Sequence, residues 1–328
     1  MCKLSKNFSD YKILVVGAGV MGRSIAQVFA AKGLTVYMTD LKQEYLDSAL
    51  VQIDNAIDIL IKNEMADEGY RATVKKNLHT MTNDGIPSVG QEIDCAFEVI
   101  FEDKEAKKAI YKLLNESCRP DCIFASNTSG MDVFSVCDGV IDNPERLIIT
   151  HWFNPPHLMK LIEVVKGPKT SDEVTAAVRG LLEFADKKPA VLNYFVPGFI
   201  VNRIATVINR ELYYMIDNGW ISAQDAENAI RYTDGLRYGF EGPIAIWDFV
   251  GLKIPATVAK GVLPSLCNDT DCIPLAEKLI AEGKTGVAVG EGLLKYPSAK
   301  EYVEKRSRRI IQMTKILEEY DREDSNNG

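Results

Sequence analysis

Short apolar runs alternate with amphipathic stretches over the first part of the chain, and beyond residue 197 the pattern turns helical. Lys12–Val16 is apolar and β-branched with no polar alternation, the pattern of a strand covered on both faces of a parallel sheet. It leads straight into GAGVMG at 17–22. Residues 23–32 carry Ile25, Val28 and Phe29 at helical spacing and stop at Gly33, a helix C-terminal signal. Residues 35–39 predict a second strand that ends on Asp40. A long helix over about 42–64 follows, with Leu46, Leu50, Ile53, Ile57 and Leu60 on one stripe, then a second helix over 67–78. Three more apolar runs, 94–100, 122–125 and 147–150, alternate with helices. Strands alternating with helices imply right-handed crossovers and a parallel sheet.

After His151 the rhythm changes. Asn154-Pro-Pro156 predicts a turn between two strand-like runs, hence an antiparallel hairpin at the end of the sheet. A helix over 172–186 and a short strand near 190–192 close this part. Val196-Pro-Gly198 punctuates the chain. Helical patterns then follow at 199–218, 223–232, 254–266, 274–282 and 299–320, and a polar tail at 323–328 is expected to lack structure. The expected architecture is a Rossmann-type, doubly wound, mostly parallel sheet over 1–196 and a smaller all-α domain over 197–328.

Composition narrows the function classes. With 328 residues, 38 basic and 46 acidic side chains give a net charge of −8, so there is no basic footprint for nucleic acid. No apolar stretch approaches the roughly 18 residues of a membrane span, and residues 1–10 lack the apolar core of a secretory signal. Seven cysteines without a disulfide framework, Cys2 among them, are expected to be reduced and structural, which suits a cytoplasmic setting. Neither Cys118/Cys122 nor Cys267/Cys272 has a nearby histidine to complete a metal site, so no metal is expected.

The candidate chemistry begins at Gly17, Gly19 and Gly22, a GxGxxG between a predicted strand and a predicted helix. Gly17 permits the tight turn, Gly19 lets backbone approach a pyrophosphate, and Gly22 permits close packing, with Ala18, Val20 and Met21 completing the loop. The pyrophosphate then meets unpaired N–H groups at a helix N-terminus. Asp40 lies 18 residues after Gly22, where a carboxylate accepts from the adenosine ribose and repels a 2′-phosphate. This favours NAD over NADP.

His151 ends an apolar strand, and strand carboxyl ends face the ligand crevice in such sheets. If the hairpin centres near His157, Glu163 on the returning strand falls opposite or diagonal to His151. Such a pair is either a carboxylate-oriented general base or a structural ion pair. His79 and His157 read as surface or turn residues. The run 126–129 after a strand end either caps a helix or holds an oxygen-rich ligand. Asn202, in the first turn of the second domain, stands where a side chain could reach back over an interdomain cleft.

Together GAGVMG, FEVIFED around Glu98, ASNTS at 125–129, HWFNPPHLMKLIEVV at 151–165 and PGFIVNR at 197–203 resemble the L-3-hydroxyacyl-CoA dehydrogenase family over about residues 12–295. The resemblance implies an NAD-binding domain, a helical domain that usually dimerises, and a place in fatty acid metabolism. It implies His151 as general base, Glu163 as its partner, and Ser129 and Asn202 as ligands of the reacting oxygen. Asn154 would support the site, and Glu98 would lie near the nicotinamide half of the cofactor.

Gly130 stands where the family usually has a second serine, and two further departures bear on the substrate. GLRYGFEGP at 235–243 carries Arg237, and a tail with Arg306, Arg308 and Arg309 follows Tyr296. Both resemble the carnitine dehydrogenase and lambda-crystallin branch, which acts on free hydroxy acids. A guanidinium suits a carboxylate, or Arg237 could pair with Glu241 or a dimer partner. For CoA phosphates, Lys62, Lys75 and Lys76 are the obvious cations. The leading expectation is NAD-dependent oxidation of a short-chain L-3-hydroxyacyl-CoA such as 3-hydroxybutyryl-CoA. A free hydroxy acid held by Arg237 is the second, and a non-catalytic NAD-binding protein the third.

Overall fold

The computed structural model describes residues 6–327, so Cys2 lies outside the described residues. The chain divides into two compact units, 1–200 and 201–328. The division falls four residues after the expected one. Phe199 is buried in the core of the first unit, and the Ile200 N–H is bonded to a carboxylate there.

The first unit is an eight-stranded sheet in the order β3-β2-β1-β4-β5-β6-β7-β8. Its strands are β1 (Lys12–Val16), β2 (Thr35–Asp40), β3 (Leu78–Thr82), β4 (Cys95–Glu98), β5 (Ile123–Ser126), β6 (Leu147–Trp152), β7 (Leu161–Lys166) and β8 (Lys188–Leu192). All neighbours are parallel except β6 and β7. In β1, Ile13 and Val15 enter one buried cluster while Leu14 and Val16 enter another. A strand with both faces covered must be apolar at every position, which is why it reads as an unbroken run.

Helices α1 (Val20–Ala31), α2 (Gln43–Lys62), α3 (Glu68–Asn77), α4 (Ile86–Val89), α5 (Lys104–Ser117), α6 (Val133–Val136) and α7 (Asp172–Phe184) accompany the sheet. Chain order reverses between β1 and β4, making a switch point in front of α1. The strand β3 has no counterpart in the sequence reading. It is an edge strand of mixed character, LHTMT, which pairs only with β2, so no apolar run betrays it. His79 is therefore an exposed strand residue with its ring 5.5 Å from Tyr37.

The second unit comprises α8 (Val201–Asp217), α9 (Ala223–Arg231), α10 (Asp234–Arg237), α11 (Pro243–Val250), α12 (Lys253–Val262), α13 (Pro274–Ala281) and α14 (Ala299–Asn327). The helix α14 continues through Asn327, where an unstructured tail is expected from the sequence. Ala226, Cys267 and Ile311 are buried, while Ile244, Phe249 and Ile254 of α11 and α12 are widely exposed. No helix of the described residues is long and apolar enough to cross a membrane. The described cysteines are free thiols; five are buried and Cys272 is exposed.

Candidate active site

The turn from β1 into α1 carries the glycines. Gly17 adopts φ +108°, and a Cβ there would lie 2.6 Å from the Val99 carbonyl oxygen. A Cβ on Gly22 would lie 1.8 Å from the Gly17 carbonyl oxygen, so that glycine is needed by the turn itself. Gly19 differs: it is exposed, and a Cβ there would meet nothing within 4 Å. It is also the N-cap of α1 and supplies no side chain to bond the first-turn N–H groups. Open space above unpaired N–H groups at a helix N-terminus is what a pyrophosphate requires. The site therefore fits NAD, with Val20 exposed beside it and Met21 half-buried.

Asp40 has a role that the sequence does not reveal. Its Oδ2 accepts from the Ala18 N–H at 2.7 Å and its Oδ1 from the Leu41 N–H at 2.7 Å. It thus fixes the glycine turn, and each oxygen retains a lone pair for a ribose hydroxyl.

His151 and Glu163 stand directly opposite in the antiparallel β6–β7 register. The imidazole Nδ1 lies 2.7 Å from Glu163 Oε2; Glu163 is fully buried and His151 nearly so. The other oxygen, Oε1, accepts from the Ile200 N–H at 2.7 Å. That N–H is aimed by a left-handed turn in which Gly198 has φ +78° and Phe199 φ +51°. A left-handed aromatic residue is strained by about 1 kcal/mol or more, and here Phe199 packs its ring 5.4 Å from that of His151. Phe153 flanks the imidazole at 4.6 Å. With Nδ1–H donated to the carboxylate, Nε2 carries the lone pair. Sequence reasoning misses Phe199 and Ile200, although PGF before a helix is a visible signal of a sharp turn.

The hairpin tip is held on two sides. His157 is a turn residue but not a surface one: its Nδ1 lies 2.8 Å from Ser24 Oγ of α1, which also accepts the His157 N–H at 3.2 Å. Burial, and then the Lys187 ammonium, push its pKa down to about 4. Lys187, itself buried, donates to the carbonyls of Pro156 at 2.6 Å and Met159 at 3.0 Å. Asn154 is exposed in this hairpin.

Glu98 ends β4 as expected, but its side chain is turned into the protein and is fully buried. Oε1 accepts from Lys107 Nζ at 2.7 Å and the Ile100 N–H at 2.9 Å; Oε2 accepts from Ser126 Oγ at 2.7 Å and the Tyr111 hydroxyl at 3.4 Å. This carboxylate is thus engaged on all sides by protein donors. Glu102, an exposed carboxylate four residues on, accepts from Thr128 Oγ1 and the Ser129 N–H, each at 2.7 Å.

Residues 126–129 divide their duties. Thr128 Oγ1 also accepts from the Met131 N–H at 2.8 Å, so it closes the turn, and Asn127 Oδ1 takes the Trp152 N–H at 2.9 Å, tying this loop to β6 beside His151. Ser129 is exposed. Asn202, the second residue of α8, and Arg237, the last of α10, belong to the second unit. Arg237 is paired with Asp234, not with Glu241, and its Nε is buried without a hydrogen-bond partner.

Comparison with known proteins places these features. Residues 12–194 match the model of the 3-hydroxyacyl-CoA dehydrogenase NAD binding domain, and residues 198–296 that of the 3-hydroxyacyl-CoA dehydrogenase C-terminal domain. The mitochondrial hydroxyacyl-coenzyme A dehydrogenase of Homo sapiens is 31% identical over 87% of this chain and 90% of its own. The 5-formyl-3-hydroxy-2-methylpyridine 4-carboxylate 5-dehydrogenase of Mesorhizobium japonicum is 28% identical over 93% of this chain and 98% of its own. Among solved structures, a dehydrogenase of that same pyridine carboxylate, described as an NAD+ dependent dismutase, superimposes with a TM-score of 0.84 at 28% identity, over 94% of this chain and 99% of its own. The (S)-3-hydroxybutyryl-CoA dehydrogenase of Ralstonia eutropha gives 0.73 at 28% identity, over 88% and 100%.

Proposed function

The chain belongs to the 3-hydroxyacyl-CoA dehydrogenase family of NAD-dependent oxidoreductases, and on that premise we propose that His151 is its proton-transfer group and a short-chain L-3-hydroxyacyl-CoA its substrate. The observation that carries the catalytic part is the buried His151–Glu163 pair at 2.7 Å. In the oxidising direction, His151 Nε2 takes the proton of the 3-hydroxyl, and Glu163 stabilises the resulting imidazolium. The chemistry supplied by bound NAD is acceptance of the carbinol hydride. Ser129 and Asn202 hold the reacting oxygen as it gains or loses charge. In reverse, the imidazolium returns its proton to the forming alkoxide. The family and its CoA-dehydrogenase relatives support the thioester, 3-hydroxybutyryl-CoA being the simplest case. A homodimer in the cytoplasm completes the reading, supported by the exposed apolar side chains of α11 and α12.

A free hydroxy acid is the second reading, favoured by the charges on α2 and α3. Arg71 is bound by Asp54, Asp58 and Glu68, and Lys75 by Asp54, so two cations there are already committed to carboxylates. A CoA phosphate would have to compete with those acids, leaving Lys62 and Lys76 as its cations. The pyridine-carboxylate relative, matched over nearly its whole length, has a free carboxylate in the substrate of its name. On this reading Arg237 binds the carboxylate.

The test is NADH consumption by purified protein with acetoacetyl-CoA, acetoacetate, dehydrocarnitine and a keto sugar acid. The first reading expects turnover of the thioester at least tenfold faster than of any free acid. Turnover of a free acid alone would overturn it in favour of the second.

A further inference from the structure

Away from the site described above, at the amino-terminal end of β5, one tight turn carries two cysteines. Cys118 caps α5, and the turn that follows is closed by the Cys122 N–H, which donates to the Arg119 carbonyl at 3.1 Å. The two thiols lie within hydrogen-bonding reach of each other. Pro120 between them is exposed and Arg119 half-buried, so the pair sits just beneath the surface; Cys118 is 4% exposed and Cys122 fully buried. Arg146, itself buried, brings a charge that acts on both sulfurs. Its guanidinium stacks 4.0 Å from the centre of the Phe124 ring and donates to the Arg119 carbonyl at 2.7 Å and to Asn115 Oδ1 at 2.6 Å. Its Nε is buried without a hydrogen-bond partner. A buried donor left unanswered is rare and calls for an explanation; a negative sulfur, or an oxygen bound to one, would answer it.

The two sulfurs differ in a way that suits sequential chemistry. The hydrogen bond from Cys122, with burial opposing and the Arg146 and Arg119 guanidiniums assisting, holds the Cys118 thiol below its ordinary pKa. Burial pushes the Cys122 thiol well above its own. The outer cysteine is thus the one that carries thiolate, and the inner one keeps its proton. We propose that Cys118 and Cys122 are an oxidation site for hydrogen peroxide, with Cys118 the attacking and Cys122 the resolving thiol of an internal disulfide. In the first step the Cys118 thiolate attacks one peroxide oxygen: an S–O bond forms, the O–O bond breaks, and the other oxygen leaves as hydroxide, which takes up a proton to become water. In the second, Cys122 attacks the sulfenic sulfur: the S–S bond forms, the S–O bond breaks, and the departing oxygen takes the Cys122 proton and leaves as water. The two sulfurs lose two electrons and the peroxide gains them. Closing the disulfide stops Cys118 short of the irreversible sulfinic acid.

The inference uses no residue of the proposed catalytic site and stands apart from that reading. Its test is peroxide treatment of the reduced full chain, alkylation of the remaining thiols in denaturant, and peptide mass spectrometry. In the parent, Cys118 and Cys122 should escape alkylation together as one disulfide that dithiothreitol reopens, while Cys95 and Cys137 remain alkylated. In Cys122→Ala the reaction should halt at the sulfenic acid of Cys118, so that capture by dimedone rises about tenfold or more over the parent. In Cys118→Ala, Cys122 should stay alkylatable. The parent measurement needs no variant, so a substitution that fails to fold leaves the proposal exposed to it. Both thiols of the parent still free after peroxide, a disulfide to any other cysteine, or equal dimedone capture in the parent and a folded Cys122→Ala would overturn the proposal.

Discussion

Glu98 on β4 and Glu163 on β7 are both completely buried carboxylates, and they differ in what answers their charge. Glu98 faces a buried ammonium, Lys107, with two hydroxyls and a backbone N–H filling its remaining lone pairs. Burial, and then Glu98 itself, hold the Tyr111 hydroxyl well above its ordinary pKa, so it stays a donor. Glu163 has among its partners an imidazole and the Ile200 N–H. A lysine is a fixed cation over the physiological range, whereas histidine gains and loses its charge there. Two equally buried carboxylates in one sheet, with β5 and β6 between their strands, thus have different partners. The first locks the ends of β4, β5 and α5 together; the second, on the function proposed above, orients the imidazole that carries the proton.

That contrast can be broken by experiment. Lys107→Met leaves Glu98 without its cation, and breaking a buried pair in this way typically costs about 3–5 kcal/mol. Urea unfolding of the first unit should show a loss of that size; a loss below about 1 kcal/mol would mean that Glu98 is not held by charge. The hairpin tip offers a pH-dependent check. His157 has a folded pKa of about 4 against an ordinary 6.5, so the unfolded chain takes up its proton first. Its contribution is fully present above pH 6.5 and is lost as pH falls towards 4, at most on the order of 3 kcal/mol. His157→Gln keeps a partner for Ser24 but removes the titration. The variant's urea midpoint should therefore fall less than the parent's between pH 7 and pH 4.5, and equal falls would rule out His157 as the cause.

Much of this arrangement is legible in the sequence because both faces of the sheet are covered. That makes β1, β4, β5 and β6 into apolar runs and fixes the alternation with helices. The His151–Glu163 pairing is legible too, since a hairpin centred near His157 sets the register. The polar edge strand β3 is not. Nor is α11, whose PIAIWDFV is apolar at seven of eight positions and so shows no helical period. Glu98 shows the deeper limit: a glutamate at a strand end looks the same in sequence whether it meets a ligand or a lysine nine positions later. Glu102 and Ile200 owe their parts to backbone N–H groups brought near by folding, which no side-chain pattern announces.

The account rests most heavily on His151 as the group that moves the proton. The most direct test is His151→Gln, which preserves a hydrogen bond to Glu163 but removes the base, assayed for NADH turnover with the best ketone substrate and for NADH affinity by fluorescence. The account predicts a fall in kcat of roughly 10²–10⁴-fold with NADH binding changed less than about twofold. Turnover within a few-fold of the parent would contradict it, and loss of NADH binding alongside turnover would make His151 a structural residue.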